Sequence, residues 1–179
     1  IFILYMLLEF EENSCLLLID IQQAYSDVFS LDLLSKNIPK LLSHARKKNV
    51  LISHIFEIDD KKKSLWLPFW EELKGPRTFD KGRPFSFSKP LQNEAVFIKN
   101  GYDAFFKTQL DQYLKKNNIK TLYICGLLTG VCVLNSVFTA FNKGYRIIPL
   151  ENCCSDRLKT RHNNTLKYYS NYLFIKNKI

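Results

Sequence analysis

The chain contains no run of the ~20 apolar residues that a membrane-spanning helix requires, so no such helix is expected. Gly and Pro are scarce, six of each, which excludes a fibrous or low-complexity chain. Histidine is scarcer still at three, and the five cysteines, Cys15, Cys125, Cys132, Cys153 and Cys154, include no C-x-x-C. An odd number with two adjacent is neither a disulfide framework nor a zinc pattern, so buried reduced thiols and a cytoplasmic location are expected. Acidic residues are also in deficit: 17 Asp and Glu face 26 Lys and Arg, a net charge of +9. The basic residues are scattered through "ARKKN", "DDKKKS", "LKKNN" and "FIKNK" and form no stripe, so no nucleic-acid partner is expected. What is plentiful is apolar side chain, 46% of 179 residues, enough for one domain spanning 1–179 with a full core. The opening "IFILYMLLEF" has no basic region before it and no small-residue cleavage site. Residues 1–14 therefore read as an apolar extension packed on the domain, not a signal peptide. Because the first residue is Ile, a start further upstream is expected.

Apolar runs alternate with helical patterns. Strands are expected at "CLLLIDI" (15–21), "VLISHIF" (50–56), "EAVFIK" (94–99), "IKTLYICGL" (119–127), "YRIIPLEN" (145–152) and "YLFIK" (172–176). Helices are expected over 31–49, 104–118, 131–144 and 157–171, the first containing Pro39 and the third stopped by Gly144. Six strands with helical crossovers predict an α/β fold, a mostly parallel six-stranded sheet in a three-layer α/β/α arrangement. The exception is 57–93, rich in Pro and aromatics and with little periodicity. A connection that long in a compact domain is usually functional.

In such a sheet ligands bind beyond the carboxyl ends of the strands, where strand order switches. Asp20 ends the first strand, Lys99 ends the third, and the fourth runs into a Gly-containing turn that leads to Cys132 at a helix start. A helix N-terminus and a neighbouring ammonium both favour the thiolate, so the Cys132 pKa is expected to fall. Asp20 can take and return a proton, and turn amides over 128–132 can hold an oxyanion. Together these are the parts of nucleophilic catalysis at an acyl carbon. Taken singly, each has an ordinary structural reading, as a core thiol, a turn cap and a surface lysine.

The pieces "LLLIDIQ" (16–22), "FIKNGYDAFFKTQLDQYL" (97–114), "CGLLTGVCVLNSVFTAFNKGY" (125–145) and "NCCSDRLKTRHNNTL" (152–166) make the chain resemble the isochorismatase-like cysteine hydrolases, which include nicotinamidases and N-carbamoylsarcosine amidohydrolases. The resemblance implies Cys132 as nucleophile, Asp20 as base and Lys99 as support for the thiolate. It also implies a cis Leu127–Leu128 bond in a turn of Leu127, Leu128 and Thr129, with the Leu128 and Cys132 amides facing the oxyanion. Nicotinamidases carry a metal-binding Asp-x-His where this chain has Ile55 and Glu57, so neither a metal nor another cofactor is expected. His54 is one step off on a strand and faces the other way. His162 matches a family histidine and reads as a structural or interface residue, not a catalytic base. Within the matching pieces and the 57–93 loop, Gln22, Trp66, Phe69, Trp70, Arg83, Phe85 and Tyr102 are candidate substrate contacts, with Arg83 or Lys89 for an anionic end. The expected activity is hydrolysis of a C–N bond in a small amide or ureide by a homo-oligomer. The alternatives are a vinyl-ether hydrolase using Asp20 as acid, or a non-catalytic scaffold.

Overall fold

The computed structural model describes residues 8–75 and 82–173. Five strands, β1 (Ser14–Ile19), β2 (Leu51–Glu57), β3 (Ala95–Lys99), β4 (Thr121–Leu127) and β5 (Arg146–Ser155), form one sheet in the order β3-β2-β1-β4-β5. Every neighbouring pair is parallel, as continuous apolar runs joined by crossovers require. The helices are α1 (Leu31–Lys47), α2 (Leu67–Lys74), α3 (Leu110–Lys116), α4 (Leu134–Asn142) and α5 (Lys159–Tyr169). The α/β class holds, and the described sheet has five strands rather than six. Of the expected last strand, Tyr172 and Leu173 lie in a turn after α5, and 174–176 lie outside the described residues. Most of the apolar extension, residues 1–7, lies outside them too; Leu8 is buried and Phe10 packs edge-on against Tyr123.

The central strand β1 is buried along its whole length, and its side chains alternate between two apolar clusters. Leu16 and Leu18 join Leu34, Ile38 and Leu41 of α1 on one face. Cys15, Leu17 and Ile19 join Leu110 and Leu114 of α3 and Val137 and Ala140 of α4 on the other. The period of two along a strand thus divides one apolar run between two layers. Two helices differ from their sequence expectation. The 104–118 pattern yields only α3, because 101–109 is irregular chain, its turn held by Asp103 accepting the Phe105 N–H and the Ala104 N–H donating to Ser136. The 131–144 pattern begins as a wide turn of π-helix, Thr129–Val133, and becomes α4 only at Leu134. The 57–93 connection contains α2, whose Pro68 lies in its first turn, where a missing N–H leaves no bond unmade. Among the described residues no helix is long and apolar enough to cross a membrane.

The strand order places the switch between β1 and β4. Their carboxyl ends meet at Gly126, which pairs in register with Ile19. Gly126 has φ 150°, and an added Cβ would lie 2.2 Å from the Ile19 carbonyl oxygen. Only glycine tolerates both conditions. Away from this edge, Glu94 ties α1 to β2. It accepts hydrogen bonds from Arg46 (2.7 Å), His54 (2.9 Å) and the Leu91 amide (2.9 Å). Burial alone would raise the Glu94 pKa, but these donors hold it at about 2.

Gly126→Ala is expected to destabilise the protein by on the order of 3 kcal/mol, since the clash is with backbone and cannot relax through a side chain. Urea unfolding of the variant checks this; wild-type stability would mean that the β1–β4 contact is looser than described.

Candidate active site

Four strands deliver side chains to one carboxyl edge. β1 ends and the chain turns at Asp20, which adopts φ 51° and donates its N–H to the Ile55 carbonyl at 2.9 Å. Aspartate is among the few residues that enter this left-handed region at modest cost. β3 ends at Lys99 and β2 at Glu57, which are paired in register. The turn after β4 carries Cys132. All four are buried: Asp20 0%, Lys99 1%, Cys132 2% and Glu57 3% exposed.

The Lys99 ammonium is the hub. Its Nζ lies 2.7 Å from Asp20 Oδ2, 2.7 Å from the Gly101 carbonyl oxygen, 3.6 Å from Cys132 Sγ and 3.8 Å from Glu57 Oε2. An ammonium has three donors, and here each faces an acceptor. Burial would lower the Lys99 pKa, but Asp20, Cys132 and Glu57 together raise it, so the ammonium stays charged. Asp20 is pushed up to about 6, first by burial and further by Glu57, against the pull of Lys99. Asp20 is therefore mostly ionised at neutral pH and within reach of protonation just below it. The thiol corrects the sequence expectation. Burial, then the charges of Asp20 and Glu57, raise Cys132 well above the usual thiol range, and Lys99 only partly offsets them. The resting sulfur thus keeps its proton, hydrogen-bonded to Asp20.

The turn before Cys132 is fastened from the β5 side. The Leu127–Leu128 peptide bond is cis. The Leu128 carbonyl accepts from the Val131 and Val133 amides at 3.0 and 3.2 Å. The Thr129 hydroxyl donates to the Ser155 carbonyl (2.9 Å) and lies 2.8 Å from His162 Nδ1. A hydroxyl has one proton to give, so Nδ1 carries the hydrogen and donates to Thr129. Burial lowers the His162 pKa, and the ring is a neutral strut. The Gly130 amide donates to Asp156 (2.9 Å), which Arg161 holds from α5.

The expected substrate contacts separate into groups. Gln22 is a buried brace: its Oε1 accepts the Glu57 N–H at 2.6 Å and its Nε2 donates to the Glu57 carbonyl at 3.0 Å. Trp66 donates to the Asn100 carbonyl at 2.9 Å and packs 5.6 Å from the Tyr102 ring, beside the Gly101 that supports Lys99. Phe69, 67% exposed, and Trp70 are both exposed on α2. Arg83 is exposed, with its carbonyl accepting the Gln23 amide. Phe85 stacks on Phe87 and packs against the α1-side cluster, whereas Cys132 belongs to the cluster on the other face. The stacking of the two phenylalanines, and the bond from the Phe85 amide to the Ile21 carbonyl, turn this ring towards α1.

Two residues of the site escaped sequence reading: Glu57, and Tyr25, whose hydroxyl donates to Glu57 Oε2. Glu57 was legible, since it ends a strand at the same edge as Asp20 and Lys99. The resemblance marks it only as a position where a metal-binding histidine is missing. Asp20, Glu57 and Cys132 do place one ligand atom each within 4.8 Å of one another. The Lys99 ammonium already lies against all three, so the chain supplies its own cation there. Ile55, at the other metal position, is fully buried in the core and has no donor atom. These residues do not fit the metal of a nicotinamidase.

The isochorismatase domain model matches residues 14–175. This chain belongs to the isochorismatase family. It is 28% identical over 148 residues to the uncharacterized isochorismatase family protein YddQ of Bacillus subtilis, covering 80% of this chain and 78% of that one. An isochorismatase family protein of Desulfovibrio vulgaris superposes with TM-score 0.79 at 17% identity, over 93% of this chain and 94% of the other. N-carbamoylsarcosine amidase from Thermoplasma acidophilum superposes with TM-score 0.76 at 19% identity, over 92% and 95%. Members of this family are hydrolases, with amidases among the structural neighbours.

Alkylation of Cys132 by iodoacetamide is expected to slow below about pH 6 as Asp20 takes up a proton. Site-resolved mass spectrometry of wild type and Asp20→Asn measures this. The inflection should be missing from the variant; an identical profile in both would remove Asp20 from the proton path.

Proposed function

We propose that this protein is a cysteine hydrolase that cleaves the C–N bond of a small amide or ureide through an acyl-enzyme. The observation that carries the reading is a single buried ammonium shared by Asp20 and Cys132. The Cys132 sulfur attacks the substrate carbonyl carbon and its proton passes to Asp20. The carbonyl electrons move to oxygen, and the Leu128 and Cys132 amides face that oxyanion. The tetrahedral intermediate collapses, the C–N bond breaks, and Asp20 returns the proton to the leaving nitrogen. Asp20 then takes a proton from water, the hydroxide attacks the thioester, and Cys132 leaves as it is reprotonated. Lys99 remains charged throughout and balances whichever of Asp20 and Cys132 is the anion. Trp66 and Tyr102 wall the approach to Gly101. The solved neighbour named an N-carbamoylsarcosine amidase supports a nitrogen leaving group.

The test is a panel of primary carboxamides and N-carbamoyl compounds, assayed for ammonia or amine release and for the mass of a Cys132 adduct. Cys132→Ala and Asp20→Asn should each lose at least about 10³-fold in turnover, the scale seen when a nucleophile or its proton partner is removed. Turnover retained in Cys132→Ala but lost in Asp20→Asn would replace this mechanism with acid catalysis by Asp20.

A further inference from the structure

Glu57 has the features of a recognition group. Its backbone is clamped from both sides by the Gln22 amide. Its carboxylate is buried, with Oε2 taken by Tyr25 and standing 4.0 Å from Cys132 Sγ. Its Oε1 is equally buried and has no hydrogen-bond partner among the described residues. A buried carboxylate oxygen without a donor is rare, because the lost hydration is not replaced. The charges around it sharpen the point. The groups facing it are Asp20 after β1, Tyr25 beyond it, Lys99 of β3 and Cys132 after β4, which is one ammonium for two carboxylates. Among the described residues, a second anion entering here would find no compensating cation, whereas an N–H donor would find an empty acceptor. Arg83, the cation expected to hold an anionic end, stands on the surface.

We propose that Glu57 determines specificity at this site by accepting a hydrogen bond from a substrate N–H beside the carbonyl that Cys132 attacks, so that the pocket takes uncharged carboxamide or ureide groups and rejects carboxylates. This rests on the cysteine-hydrolase reading above. It assigns Glu57 a role that simple support of Tyr25 would not require.

The test compares two alkylating reagents of similar size, iodoacetamide and iodoacetate, which differ in an N–H donor against a negative charge. Rate constants for Cys132 are measured by site-resolved mass spectrometry at one pH and ionic strength. Their ratio cancels the fraction of thiolate. 2-Mercaptoethanol under the same conditions gives the intrinsic ratio. Wild type should favour iodoacetamide by about tenfold more than 2-mercaptoethanol does, the scale of one close uncompensated charge. This preference would run against the protein's overall charge of +9, which draws anions. Glu57→Gln should bring the ratio close to that of 2-mercaptoethanol, and Tyr25→Phe, which keeps the carboxylate, should preserve the preference. A wild-type ratio equal to that of 2-mercaptoethanol overturns the proposal without requiring any variant to fold. So does a folded Glu57→Gln that keeps the wild-type ratio. Cys132 inert to both reagents would instead defeat the nucleophile reading, and this proposal with it.

Discussion

One buried ammonium holds this site together. Lys99 is almost wholly removed from water, and transferring an isolated ammonium into such a place would cost several kcal/mol. It stays charged because Asp20, Glu57, Cys132 and the Gly101 carbonyl surround it. The dependence is mutual. Asp20 and Glu57 are two buried carboxylates close together, and Lys99 is the cation that lies against both. The sheet makes the arrangement possible. Parallel strands all end on the same edge, so β1, β2 and β3 bring Asp20, Glu57 and Lys99 together although they are far apart in the chain.

The sulfur arrives from the other side of the switch point, and its position is fixed by packing. Gly126 lets β4 approach the Ile19 carbonyl more closely than any other residue could. The wide turn that follows is bolted to β5 and α5 through Thr129, Ser155 and His162, and through Gly130, Asp156 and Arg161. None of these groups needs to react. They fix the Leu128–Cys132 backbone, which in the proposed mechanism faces the developing charge. The raised pKa of Cys132 fits the proposed mechanism, in which the thiol loses its proton only when an electrophile is present.

Much of this was legible in the sequence. The β1 run "CLLLID" announces a doubly buried strand with a carboxylate at its tip, and the β-α alternation gives the parallel sheet. Asp20, Lys99 and Cys132 follow from asking what stands at strand ends. What sequence could not supply was the balance of charges. The expectation of a lowered thiol pKa counted Lys99 and a helix end but not burial or the charges of Asp20 and Glu57, and those reverse its sign. Gln22 looked like a substrate contact because it neighbours Asp20, yet a glutamine with both amide ends bonded to the next strand's backbone is a brace. Phe85 is read as a substrate contact because it is aromatic in a long loop. Its backbone bond to Ile21 and its stacking on Phe87 turn it towards α1, and neither has a signature in composition.

The interdependence of Lys99 and its carboxylates is most directly tested by the unfolding free energy of Lys99→Met as a function of pH. Without the ammonium, the folded-state pKa of Asp20, already pushed up to about 6 by burial, would rise further. The folded state is then favoured at low pH and loses ground as pH rises through the raised value. The variant should therefore be less stable than wild type by roughly 3 kcal/mol or more at pH 7, and recover much of that loss on acidification to pH 5. A Lys99→Met protein as stable as wild type at pH 7, or one whose deficit does not shrink towards pH 5, would contradict the account.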